Sequence, residues 1–102
     1  MMKITVMDPV DPRRVASYDP KLRILLNQEA YFFAAEDTKK KFEADPLRYS
    51  GPLTDPISQK RFKPTRYSPK TRYQDRTFYF ESTLTQRQFA VSPKAYANRR
   101  DN

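Results

Sequence analysis

The side chains best placed to do chemistry in this 102-residue chain are cations. Residues 60–76, KRFKPTRYSPKTRYQDR, carry seven bases and one acid, Asp75. The bases are Lys60, Arg61, Lys63, Arg66, Lys70, Arg72 and Arg76, with Phe62, Tyr67 and Tyr73 between them. Cations at this density neutralise phosphates or carboxylates, and an exposed ring can stack on a base. Strand alternation over 71–80 sends Arg72 and Arg76 to one face and Tyr73 to the other. Tyr73 is then a core residue, and the bases are the candidate contacts for an anionic partner.

Other chemistries are excluded by what is missing. The chain has no Cys and no His. Disulfides, thiolate metal sites, Cys nucleophiles and His general bases are therefore impossible. A single glycine rules out a Gly-rich phosphate loop. No pair of carboxylates stands apart from the ordinary surface complement, so the expectation is a protein that is not an enzyme and needs no cofactor. No apolar run suggests a signal peptide or a membrane span, so the expected location is cytoplasmic.

The net charge of +8 is unevenly spread. Residues 1–50 hold nine bases and eight acids, whereas residues 51–102 hold eleven bases and four acids. The second half carries the basic character. Hydrophobic content is only 37%, yet seven Phe and seven Tyr supply large apolar areas, so a compact core is expected rather than disorder.

The elements that must position these groups are read from the aromatic and Pro spacing. Residues 3–7, KITVM, predict a short strand before Asp8-Pro9-Val10. Residues 22–33 predict a hairpin turning near Asn27-Gln28. A helix follows, with Glu36 and Asp37 at its start and Lys39, Lys40 and Lys41 toward its end, in the order the helix dipole favours. Thr38 and Phe42 share its inner face, and Asp45-Pro46 is expected to end it. A shift of 47 residues places Asp8-Pro9-Val10 on Asp55-Pro56-Ile57, Tyr31-Phe32-Phe33 on Phe78-Tyr79-Phe80, Phe42 on Phe89, Pro46 on Pro93 and Tyr49 on Tyr96. Tyr18-Asp19-Pro20-Lys21 matches Tyr67-Ser68-Pro69-Lys70 only after a two-residue adjustment, which puts a length difference in the hairpin arms. The pattern predicts an internal duplication with its joint at Ser50-Gly51-Pro52. The second helix is expected over 83–91, with Ser82 as its cap.

Asp-Pro-Val, the aromatic strand and Phe42-Glu43-Ala44-Asp45-Pro46-Leu47-Arg48-Tyr49 resemble the YHS domain, a small treble-clef-like ββα module related to TRASH domains. The second half keeps the spacing but fewer of the residues. The resemblance implies an α+β fold of two duplicated ββα units, 1–50 and 51–102, packed as one compact pseudo-symmetric domain with a frayed tail at 98–102. Metal-binding members place Cys where this chain has Asp11, Ala34 and Thr38, and again Ser58, Glu81 and Thr85. None is a thiol, so the resemblance implies a metal-free scaffold.

Three functions remain. The leading expectation is a non-catalytic binding or assembly module that docks on a larger acidic protein or complex through its basic second half. A second is nucleic-acid binding through residues 60–76. A third places a hard cation or small ligand near Glu81, with Ser58 and Asp55. The plainer reading of Glu81 is a solvated carboxylate at a helix start, and of Asp8 and Asp55 that they brace turns. The oligomeric state is not set by these features.

Overall fold

The computed structural model describes residues 5–97. They form an α+β arrangement of three two-stranded antiparallel sheets and four α-helices. Two compact units divide the chain. The first holds residues up to Ile24 and Ala30–Ser50, and the second holds Leu25–Glu29 together with the chain from Gly51 onward. The tip of the first hairpin thus belongs to the second unit.

In the first unit, Met7 makes a single antiparallel bridge to Val15, where a strand over 3–7 is expected. Residues 3 and 4 of that expectation, and the tail 98–102, lie outside the described residues. A 3-10 turn, Pro20–Leu22, is capped by Asp19, whose carboxylate accepts from the Lys21 N–H at 2.9 Å. It leads into β1 (Arg23–Leu26), which pairs with β2 (Glu29–Phe32). Helix α1 (Glu36–Ala44) buries Thr38 and Phe42. Its Ala35 cap offers no side-chain acceptor, and Glu36 and Asp37 in the first turn supply the negative charge instead.

Asp45-Pro46 ends α1 and also starts the next helix. Proline has no N–H to lose at a first helical position, and its fixed φ suits that position. Pro46 accordingly opens α2 (Pro46–Tyr49) after a one-residue break at Asp45. The break is closed by Asp45 N–H donating to the Phe42 carbonyl at 3.1 Å. Four rings make the core of this unit. Tyr31 and Phe33 lie 4.9 and 5.2 Å from Phe42, centroid to centroid, and Tyr49 lies at 6.4 Å.

The second unit begins with a short ribbon, β3 (Leu53–Thr54) against β4 (Arg61–Phe62), which sequence periodicity did not predict. The hairpin β5 (Lys70–Tyr73) and β6 (Arg76–Tyr79) follows, then α3 (Thr83–Val91) and α4 (Pro93–Ala97). Helix α3 has the bounds expected from the sequence. Its Ser82 cap accepts from the Thr85 N–H at 3.2 Å. Phe89 sits at the centre of this core, with Phe78 at 4.9 Å, Phe80 at 5.2 Å and Tyr96 at 6.5 Å. Tyr73 meets Phe89 edge-on at 6.3 Å, as a core residue.

Two sequence expectations are corrected here. The hairpin arms carry no length difference: β1 and β2 become β5 and β6 by a uniform offset of 47. The Phe33 N–H donates to Leu22 O at 2.9 Å, and the Phe80 N–H to Pro69 O at 2.8 Å, at the same offset. Arg72 and Arg76 also lie on opposite faces. The turn at Gln74-Asp75 interrupts the alternation, so Tyr73 pairs across from Arg76 and Arg72 from Thr77. Directly opposed residues share a face, which puts Arg76 with Tyr73 and Phe78.

Candidate functional site

Each unit is organised around one buried carboxylate. Asp8 Oδ1 accepts from the N–H groups of Val10 at 2.7 Å and Asp11 at 3.2 Å. Its Oδ2 accepts from the Ala34 N–H at 2.8 Å and the Thr38 hydroxyl at 2.5 Å. Asp55 does the same 47 residues later. Its Oδ1 accepts from Ile57 and Ser58 N–H at 2.7 and 3.1 Å, and its Oδ2 from the Glu81 N–H at 2.9 Å and the Thr85 hydroxyl at 2.6 Å. One side chain thus ties a turn, a strand end and the first turn of a helix.

The six positions that would carry thiols have other duties. Ala34 and Glu81 donate backbone N–H groups to the carboxylates, and Thr38 and Thr85 donate hydroxyls. Asp11 pairs with Arg13 at 3.0 Å, and the Ser58 hydroxyl donates to Glu81 Oε2 at 2.7 Å. A carboxylate has about four acceptor directions, and in Asp8 and in Asp55 four donors fill them. Among the described residues, no three of His, Cys, Asp and Glu gather where they could hold a metal ion. Burial pushes the Asp8 carboxyl up, but hydrogen bonds from Ala34, Thr38, Val10 and Asp11 outweigh it and hold the group below its ordinary value.

The basic segment sorts into three kinds of cation. Lys60 and Lys63 are exposed, and their ammonium groups have no partner among the described residues. Arg66, Lys70 and Arg72 are exposed but locally held. Arg66 lies 4.9 Å from the Tyr67 ring centroid and donates to the Tyr67 hydroxyl at 2.7 Å. Lys70 Nζ donates to the Arg66 carbonyl at 3.0 Å, and Arg72 to Thr77 Oγ1 at 3.3 Å. These bonds leave the charges open to solvent.

Arg61 and Arg76 serve the fold. Arg61 is paired with Glu29, and the same guanidinium nitrogen contacts Thr54 Oγ1 at 3.1 Å. Arg76 is half-buried over the Phe78 ring at 4.6 Å. Its guanidinium donates to the Asn27 carbonyl at 2.5 Å and the Ala97 carbonyl at 3.3 Å. Arg76 is thus held by two backbone carbonyls, which sets it apart from the exposed cations of the segment. Phe62 is partly covered, so Tyr67, 79% exposed, is the most exposed ring of the segment.

Comparisons with protein-family models, with curated proteins and with solved structures found no match.

Sequence reasoning missed one highly connected polar side chain of the second unit, Asn27. It is fully buried with φ of 53°. Its Nδ2 donates to the carbonyls of Thr54 and Tyr79, each at 2.8 Å, and its Oδ1 accepts from the Tyr79 N–H at 2.7 Å. Asn is the residue, after Gly, that best tolerates this backbone region. Its position in a two-residue hairpin loop was the available signal. Nothing in the local sequence marked it as buried.

Proposed function

We propose that this chain is a non-catalytic docking module, two metal-free YHS-like units whose basic second half binds an acidic surface on a larger protein or complex. The observation that carries this reading is the state of the charges in the second unit. Lys60, Lys63, Arg66, Lys70 and Arg72 are exposed on one short stretch of chain. Of the described acids of the second half, Asp55 is inside its node and Glu81 is bonded to Ser58, which leaves Asp75 as the one carboxylate set against these five cations. Uncompensated cations of this kind raise the encounter rate with an acidic partner and set its orientation.

The duplicated, thiol-free scaffold is supported by the two nodes. The same four donors reach the same two carboxylate oxygens at an offset of 47 residues. In this account the carboxylate supplies the cross-link that a metal supplies in metal-binding relatives, so the units fold without an ion. Their surfaces are then free to serve recognition.

Nucleic-acid binding is the second reading, and the exposed Arg66–Tyr67 pair favours it. Single-stranded binders present several rings in succession, each worth ~1–3 kcal/mol per stacked base. Here Tyr73 is used by the core. Fluorescence anisotropy with a labelled oligothymidine of about 20 nucleotides, at about 50 and about 200 mM salt, separates the two. Docking on protein predicts weak binding that Tyr67→Ala leaves unchanged. Tight binding that falls steeply with salt, and is lost in Tyr67→Ala and Arg66→Ala, would replace it with the nucleic-acid reading.

A further inference from the structure

Helix α3 places Leu84 and Val91 seven residues apart, two turns along one face. Phe89 and Thr85, on the opposite face, are buried. Leu84 is 65% exposed and Val91 83% exposed, the two most exposed large aliphatic side chains among the described residues. Arg87 and Gln88 lie between them and are also exposed, and Lys94 follows in α4. No acid lies within α3.

The first unit shows what this position looks like without such a ridge. At an offset of 47, Leu84 corresponds to Asp37, Arg87 to Lys40, Gln88 to Lys41 and Val91 to Ala44. Asp37 is held by Arg14 at 3.1 Å and Lys40 and Lys41 are exposed cations, so three of these four positions on α1 are charged. The scaffold therefore does not require apolar residues there.

We propose that the Leu84–Arg87–Val91 face of α3 is a docking ridge for an acidic amphipathic helix of a partner protein. The proposal rests on the assembly reading and adds a second contact surface to it. The apolar pair needs an apolar stripe to cover it, and helices meet such stripes by packing side by side. Arg87 within the ridge and Lys94 beyond it need carboxylates flanking that stripe. A second copy of this chain is a poor occupant, because two α3 faces would bring Arg87 and Lys94 against their like. Phosphate-rich surfaces have nothing to offer Leu84 and Val91.

The test uses the full chain labelled with nitrogen-15. It is titrated with a synthetic peptide of about 18 residues, Leu along one helical face and Glu on both sides of it. A counterpart with Lys in place of Glu is run in parallel. The expected result is amide shift changes centred on Leu84, Arg87, Gln88 and Val91 with the Glu peptide and none with the Lys peptide. Leu84→Ser with Val91→Ser should weaken binding at least about tenfold. Both positions are exposed, and an unchanged circular dichroism spectrum confirms folding of the variant. Absence of binding, or shifts confined to residues 60–72, overturns the ridge; the second outcome leaves basic-face docking standing. Binding at α3 that survives charge reversal at Lys60, Lys63, Arg66, Lys70 and Arg72 supports the ridge as a surface separate from the basic face. A dimer in sedimentation of the free protein, dispersed by the Ser variant, assigns the face to a second copy and also overturns the proposal.

Discussion

Asp8 and Asn27 show how much single polar side chains do in this small chain. Each is buried, and each holds several backbone groups that would otherwise lack partners. Asn27→Ala removes three hydrogen bonds and leaves the Tyr79 N–H and two carbonyls unsatisfied. A loss of about 3 kcal/mol is expected in urea unfolding, from the ~1–3 kcal/mol attached to each orphaned buried group and partial relaxation by water. Thr38→Val keeps the shape and removes one donor to Asp8, with an expected loss of ~1–2 kcal/mol. The Asp8 node also sets a pH dependence. Its folded carboxyl titrates below its ordinary value, so its stabilisation is present above the ordinary carboxylate range and is lost as pH falls through that range. Urea midpoints of the wild type should drop below about pH 4, and Asp8→Asn should flatten that part of the profile while lowering stability at neutral pH. The turn-bracing role was legible from Asp-Pro-Val. The reach of the same carboxylate to Ala34 and Thr38 was not, because it spans 26 to 30 residues of chain.

At the scale of elements, legibility followed local chemistry. The bounds of α3 could be read because Ser82 caps it and Pro93 limits it. The short helices α2 and α4 were missed because a proline that ends one helix is equally suited to begin the next. The turn at Gln74-Asp75 was missed because both residues adopt positive φ, 50° and 63°, without the Asn-Gly signature of such turns. The alternation was consequently carried straight through it, and Arg76 was assigned to the wrong face. The turn makes a prediction of its own. Replacing Gln74-Asp75 with Asn-Gly should relieve backbone strain and raise stability by ~0.5–1 kcal/mol, seen as a higher melting temperature. If β5 and β6 turned elsewhere, the same replacement would lower it. Ser82→Ala should cost ~1 kcal/mol through the lost α3 cap, whereas Ala35→Ser should gain a similar amount by adding a cap to α1.

At the scale of the whole molecule, charge asymmetry and the two carboxylate cross-links define the account. The excess charge of the second half was visible in composition. Which bases are available was not, since a count cannot separate Lys63, which faces solvent, from Arg76, which binds two carbonyls. A fold cross-linked by carboxylates should be indifferent to chelation: its melting temperature should be unchanged by excess EDTA or by added zinc. A fall on chelation would show that an ion stabilises it after all. Among the described residues no helix is long and apolar enough to cross a membrane. The central claim, docking of the basic second half on an acidic protein, is tested most directly by affinity capture from nuclease-treated native extract. The bait is either wild type or a variant with Glu at Lys60, Lys63, Arg66, Lys70 and Arg72. The account predicts a discrete acidic protein captured by wild type, released as salt is raised, and absent with the charge-reversed bait. The same protein retained by the charge-reversed bait, or capture that vanishes with nuclease treatment, would contradict it.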